Sequence, residues 1–286
     1  SGLESSPMAP IIVNHVHLMP AFMREDATPE AFDRLAYTLG IEGAVCFAPF
    51  SYQVAGRVDH NRWLAEALAG RADRVGYGTL DPTRDPEEQV REVADLGFPG
   101  IKLHPPAQHF HIFGDWSRRA YAEMEKRGLI ADFHIGVHWH RLSDYDPLLC
   151  DEIAHHFPAL KMVFEHVGGW HYYRQVLAVI TNNHNRGNHL YAGIASVLDR
   201  ENQRYWYLGP DGVDECRWQI GEDLLIYGLD FPYNGRMQVA RDLALIRGLP
   251  WPDEAKDKLL GGNLLRLIGR TGGTAGRVGG DPVSVG

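Results

Sequence analysis

The feature that most constrains this chain is a rhythm. Eight short apolar runs, at residues 11–17, 43–48, 74–80, 100–104, 129–134, 161–166, 189–194 and 223–229, are separated by segments with helical patterning. They recur every roughly 25 to 35 residues, about the length of one strand-plus-helix unit. Strands that alternate with helices belong to parallel sheets, because a parallel pair needs a long crossover. Eight such units predict a (β/α)8 barrel, that is, a TIM barrel. A doubly wound open sheet is the competing architecture. No G-x-G-x-x-G or G-x-x-x-x-G-K-[ST] string supports it.

Local signals agree with the rhythm. Thr28-Pro29 and Asp85-Pro86 each read as a helix N-cap followed by proline at the first helical position, and Glu88 stands where a capping box needs it. Val239, Leu243 and Ile246 recur at helical spacing before Gly248, and Pro252 and Gly261-Gly262 bracket a last helix. The aromatic- and arginine-rich stretch from 195 to 222 is expected to be a loop with a helix near 213–220. Residues 1–270 read as one barrel domain and the glycine-rich residues 271–286 as a flexible C-terminal tail.

Composition narrows the function classes. The net charge of −9 argues against a nucleic-acid partner. No apolar run is long enough to span a membrane, and the first residues lack the basic and apolar regions of a secretory signal. Cys46, Cys150 and Cys216 have no metal-type spacing, which fits free thiols in a reducing compartment. A cytoplasmic protein acting on a small molecule is the expectation. The 15 histidines are numerous and clustered, the first hint of a metal.

A barrel builds its active site at the C-terminal ends of its strands. Strand one ends in His15-Val16-His17, strand four in Lys102-Leu103-His104, strand five in His134, strand six in His166, and strand eight leads into Asp230. Alternation puts His15 with His17, and Lys102 with His104, on one face of each strand. A single strand-end histidine is usually a hydrogen-bonded structural residue, and Asp230 alone could cap a helix. Together they suit Zn²⁺, whose bound water would have a pKa near about 7 and could lose its proton to a nearby carboxylate.

The strings "NHVH", "FHIG", "FEHVGG", "GLDFP" and "GGNLLRLIG" resemble those of the amidohydrolase superfamily, in particular the amidohydrolase-2 branch that includes aminocarboxymuconate semialdehyde decarboxylase. The resemblance spans about residues 11–269. It implies a metal-dependent (β/α)8 barrel with His15, His17, His134 and Asp230 as ligands. It makes His166 a catalytic histidine, or a ligand to a second ion. One divalent ion, most simply Zn²⁺, is favoured over two. Lys102 sits where some two-metal relatives carry a bridging carbamoylated lysine; the alternatives are an ion pair or a contact to an anionic substrate. His104 and His138 are further candidates for a second metal or for substrate. Asn14 departs from the family, which usually has Asp there.

The leading expectation is a hydrolase that cleaves an amide, ester or lactone bond, with Asp230 and His166 moving protons. The first alternative is a non-oxidative decarboxylase or hydratase, with Lys102, Arg141, Arg200 or Arg204 receiving a carboxylate. The second is a metal-binding barrel without turnover. Trp139, Trp170, Tyr172, Tyr173, Tyr205, Trp206 and Tyr207 favour a flat or aromatic substrate, or else a homodimer contact.

Overall fold

A computed structural model describes residues 9–187 and 189–270. The predicted tail, 271–286, lies outside the described residues. Eight parallel strands close into a barrel in sequence order: β1 (Ile11–His17), β2 (Ile41–Phe47), β3 (Arg74–Thr79), β4 (Gly100–Leu103), β5 (Ile130–His134), β6 (Lys161–Glu165), β7 (Leu190–Ile194) and β8 (Leu225–Phe231). β8 pairs with β1 and leaves no free edge. Helices follow the strands, the principal ones being Pro29–Leu39, His60–Leu68, Pro86–Asp95, Asp115–Arg127, Leu149–His156, Gly169–His184, Gly209–Ile220 and Arg236–Arg247.

The two N-caps form as the sequence suggests, but Gly261-Gly262 does not close the last helix: it lies in a π-helical turn (Lys258–Gly262) that runs on into Asn263–Leu267. The Thr28 side chain accepts from Ala31 N at 3.2 Å, and Asp85 Oδ1 accepts from Glu88 N at 2.9 Å. Other boundaries differ from expectation. β2 starts at Ile41, because Gly40 (φ 68°) ends the preceding helix in the left-handed conformation and the chain turns at once into the sheet. Glu222–Leu224 is a 3-10 turn, so β8 begins at Leu225 and extends to Phe231, with Asp230 inside the strand. The helix expected near 213–220 begins at Gly209.

Two apolar shells hold the fold. The outer shell, between strands and helices, includes Val13, Val16, Phe32, Leu64, Ile101, Phe133 and Phe164. The inner shell fills the barrel with Val45, Val75, Ile130, Val163 and Ile226, and Leu264 and Leu267 of helix Asn263–Leu267 pack against it. Each such side chain contributes about 1.5–3 kcal/mol on burial. The apolar filling stops below the C-terminal rim, where polar side chains replace it. No helix among the described residues is long and apolar enough to cross a membrane. The three cysteines are buried and unpaired.

Candidate metal centre

The polar layer begins at a bulge in β1. From Val13 to Val16, β1 advances three residues while β2 advances from Ala44 to Cys46. The extra residue places His15 at φ 62°. Strict alternation would turn Asn14 outward with Val16; instead Asn14 and His15 both meet Glu165 inside the barrel. Gly228 pairs with Asn14 on the neighbouring strand, and a Cβ there would stand 2.9 Å from His15 Cβ. A glycine in β8 thus makes room for the histidine in β1.

Beneath the imidazoles lies a buried charge layer. Lys102 Nζ pairs with Asp132 Oδ1 at 2.9 Å, both side chains being fully buried. Asn14 Nδ2 donates to Asp132 Oδ2 at 2.8 Å and to Glu165 Oε1 at 2.5 Å. Gly193 leaves space for Glu165 from β7. Burial, then the Asp132 charge, pushes the Glu165 carboxyl well above its usual range. Of the roles considered for Lys102, the structure presents the ion pair: its ammonium is engaged by Asp132 and lies 4.8 Å over the Phe47 ring.

Above this layer the predicted residues converge. His15 Nε2 lies 3.1 Å from His17 Nε2 and 3.3 Å from Asp230 Oδ1, and His17 Nε2 lies 3.6 Å from the same oxygen. His15 Nδ1 is 3.0 Å from Glu165 Oε2, without the alignment of a hydrogen bond. Burial, reinforced by the Lys102 charge, holds His15 and His17 well below the ordinary histidine value, so both rings are neutral. Asp230 is raised by burial, opposed by a hydrogen bond from Ser196.

His166 Nδ1 lies 2.8 Å from the Ala195 carbonyl, which can only accept. Nδ1 therefore carries the proton and Nε2 keeps its lone pair. Burial drops the His166 pKa to about 3. One ligand atom each from His15, His166 and Asp230 lies within 4.8 Å of the others. His134 Nε2 is buried and has no hydrogen-bond partner among the described residues. Imidazole nitrogens and a carboxylate oxygen, gathered in one buried place with His134 Nε2 unpartnered, are a donor set that fits a divalent cation. The carboxylate on the Nδ1 side of His15 is the neighbour a metal-binding imidazole usually has.

The additional histidines divide. His104 stacks face to face on His134 with ring centroids 3.8 Å apart, and half-buried His138 sits edge-on to both. His109 and His140 pair with each other 5.1 Å apart, and His140 meets Asp144 at 3.3 Å. The arginines expected to receive a carboxylate do not converge. Arg141 is exposed and paired with Asp144, and Arg200 and Arg204 are exposed.

Sequence reasoning missed Arg24, whose guanidinium lies 5.0 Å over the Tyr233 ring, which is itself 5.7 Å from the His17 ring. It also missed the buried Ser196, Gln203 and Asn234, whereas Trp206, one of the aromatics read as substrate-facing, stacks on His166 at 4.2 Å. Glu165 was in plain view inside "FEHVGG", adjacent to the histidine that drew attention. The others sit on loops whose paths only the fold fixes.

With fold and site in hand, comparison with known proteins is direct. A family profile described as Amidohydrolase matches residues 15–270, and the chain belongs to that family of divalent-metal-dependent enzymes. An uncharacterised TIM-barrel protein from Bordetella bronchiseptica superposes with a TM-score of 0.71 at 21% identity, covering 91% of this chain and 100% of that one. The 5-carboxyvanillate decarboxylase of Sphingomonas paucimobilis gives 0.71 at 14%, covering 92% and 100%. The dihydroxybenzoic acid decarboxylase of a Polaromonas species, with bound manganese and 2-nitroresorcinol, gives 0.66 at 15%, covering 92% and 97%. At these identities the likeness is one of fold. No curated protein matches the sequence.

Proposed function

We propose that this protein is a divalent-metal-dependent enzyme that removes CO₂ from a small, flat carboxylic acid. The observation that carries this reading is the pairing of a cation with aromatic faces at the open side of the site. His17 and Asp230 are the most exposed members of the cluster, at 12% and 7% of their side chains. Tyr233 and Arg24 flank them. Trp206 covers His166, and Trp139 and Tyr205 are in edge contact at 5.0 Å. A ring can lie against the aromatic faces while its carboxylate displaces exposed Asp26 from Arg24.

His15, His17, His134 and Asp230 would hold one ion, Zn²⁺ from the donor set or Mn²⁺ as in the Polaromonas enzyme. Such an ion, when bound, supplies Lewis acidity toward a substrate oxygen. The chain's own groups do the rest. Arg24 and Tyr233 orient the acid, and Trp206 keeps water from the face of His166. In decarboxylation the bond from the substrate carbon to its carboxylate breaks, the electron pair stays on that carbon, and a proton replaces the CO₂. His166 Nε2, whose ring is held by Ala195 through Nδ1, would take a proton from solvent or a substrate hydroxyl and deliver it to that carbon.

Hydrolysis of an amide, ester or lactone is the second reading. It is favoured by Asp230, a buried carboxylate beside the proposed ion that can accept a proton from water. The test uses metal-loaded protein with 2,6-dihydroxybenzoate, 5-carboxyvanillate and a panel of lactones and amides. CO₂ released in equal amount with the decarboxylated ring supports the proposal. Turnover confined to the lactones or amides, with water consumed, replaces it by hydrolysis. Bound metal below about a tenth of an equivalent after loading removes both.

A further inference from the structure

One hydrogen-bond chain near the site is not used by the proposed chemistry, yet its direction is fixed at both ends. It starts at the backbone N–H of Asp199, which donates to Gln203 Oε1 at 2.8 Å. Gln203 Nε2 donates to Asn234 Oδ1 at 3.1 Å. Asn234 Nδ2 donates to Ser196 Oγ at 2.8 Å and to the Leu229 carbonyl at 2.9 Å. Ser196 Oγ donates to Asp230 Oδ2 at 2.7 Å.

Neither amide can be reversed. The Leu229 carbonyl only accepts, so the Asn234 atom facing it must be the NH₂. The Asp199 backbone N–H only donates, so the Gln203 atom facing it must be the oxygen. Two backbone groups at opposite ends therefore dictate the same polarity. With one lone pair taken by Asn234, the Ser196 hydroxyl sends its only proton to Asp230. Gln203, Asn234 and Ser196 are all buried. The turn that presents Gln203 is itself held by the Asp199 side chain, which accepts from Glu201 N at 2.9 Å and Asn202 Nδ2 at 2.7 Å.

We propose that Gln203, Asn234 and Ser196 are positioning residues for Asp230: their directed chain commits Oδ2 as an acceptor and leaves Oδ1 to face the imidazoles and the cation. The inference rests on Asp230 being a metal ligand, as proposed above. It links the loop after β7 to the site twice. The backbone carbonyl of Gln203 also accepts from Trp206 N at 3.0 Å, and Trp206 covers His166.

The test measures Mn²⁺ affinity of the whole protein by competition with a chromophoric chelator, together with the melting temperature of each metal-free variant. Ser196→Gly deletes the donor and suits the left-handed backbone there (φ 56°). Gln203→Met keeps the length of the side chain but removes both the donor to Asn234 Oδ1 and the acceptor for the Asp199 N–H. Each is expected to weaken Mn²⁺ binding about 10–100-fold, the range for outer contacts of metal ligands. Because both act through one chain, the double variant should bind little worse than Ser196→Gly alone, whereas independent packing defects would multiply. Wild-type binding that survives unchanged in both single variants, or losses that multiply, overturns this inference alone. A wild-type protein that binds no Mn²⁺ or Zn²⁺ takes the metal reading down with it.

Discussion

At the scale of single residues, the site depends on two positions that read as ordinary in the sequence. Asn14 donates from one amide nitrogen to Asp132 and Glu165, two buried acids of which only Asp132 is paired with the Lys102 ammonium. Aspartate would put a third carboxylate there and remove both donors. Asn14→Asp is expected to cost about 3 kcal/mol or more in urea unfolding, with weaker metal binding. A loss under about 1 kcal/mol would show that the layer tolerates the extra charge. Gly228 is the second position. Gly228→Ala would press a methyl carbon against His15 Cβ and Ala195 Cβ at 2.9 and 3.1 Å. It should lower stability by about 1–3 kcal/mol and reduce metal stoichiometry, read by melting and metal analysis. Neither consequence is legible in the strings "NHVH" and "YGLD". Both arise because a bulge in one strand and a missing side chain in its neighbour occupy the same level of the barrel.

At the scale of elements, the existence of each strand and of most helices is readable, and the strand ends are where alternation gives way. His15, His166, Val167, Ser196 and Asp230 all have φ between 41° and 62°, and all lie at the rim. Left-handed backbone at non-glycine residues is costly and persists where surrounding contacts hold it. Here it aims His15, His166, Ser196 and Asp230 into the mouth, while Val167 packs in the outer apolar shell. Packing between elements also carries a titration. Asp242, on helix Arg236–Arg247, is buried near Tyr227 of β8, and burial, then the Asp199 charge, raises its pKa from 3.8 to about 7. A carboxyl whose folded pKa is raised penalises folding above that pKa. The penalty is absent below about pH 4, grows as the unfolded chain ionises first, and is complete above about pH 8. Asp242→Asn should therefore stabilise the protein more at the alkaline end than at the acid end. Equal effects at both ends in denaturant titrations would exclude this account.

At the scale of the whole molecule, the barrel gathers groups from β1, β4, β5, β6 and β8 into one buried volume. A cation bound there would bind only the folded chain, so metal binding should be felt as fold stability. Metal added at 100 times its dissociation constant is expected to stabilise by about 2.7 kcal/mol, a rise in melting temperature of about 5–10 °C over the chelator-treated protein. His17→Ala should abolish most of that rise while leaving the metal-free melt close to wild type. An identical rise in the variant would mean the ion binds elsewhere.

The sequence by itself determined the architecture and named polar side chains that converge at the barrel mouth. Hydrophobic periodicity and caps are local, and a closed barrel of eight βα units leaves strand ends one place to meet. His15, His17, His134, His166 and Asp230 could be named because they end strands. The tertiary structure alone decided which partners those residues have. That Lys102 pairs with Asp132, that Arg24 rather than Arg141 stands at the mouth, and that Gln203 reaches Asp230 through two other side chains all depend on loop paths and register. These are set by packing between segments far apart in the chain, and no local pattern encodes them.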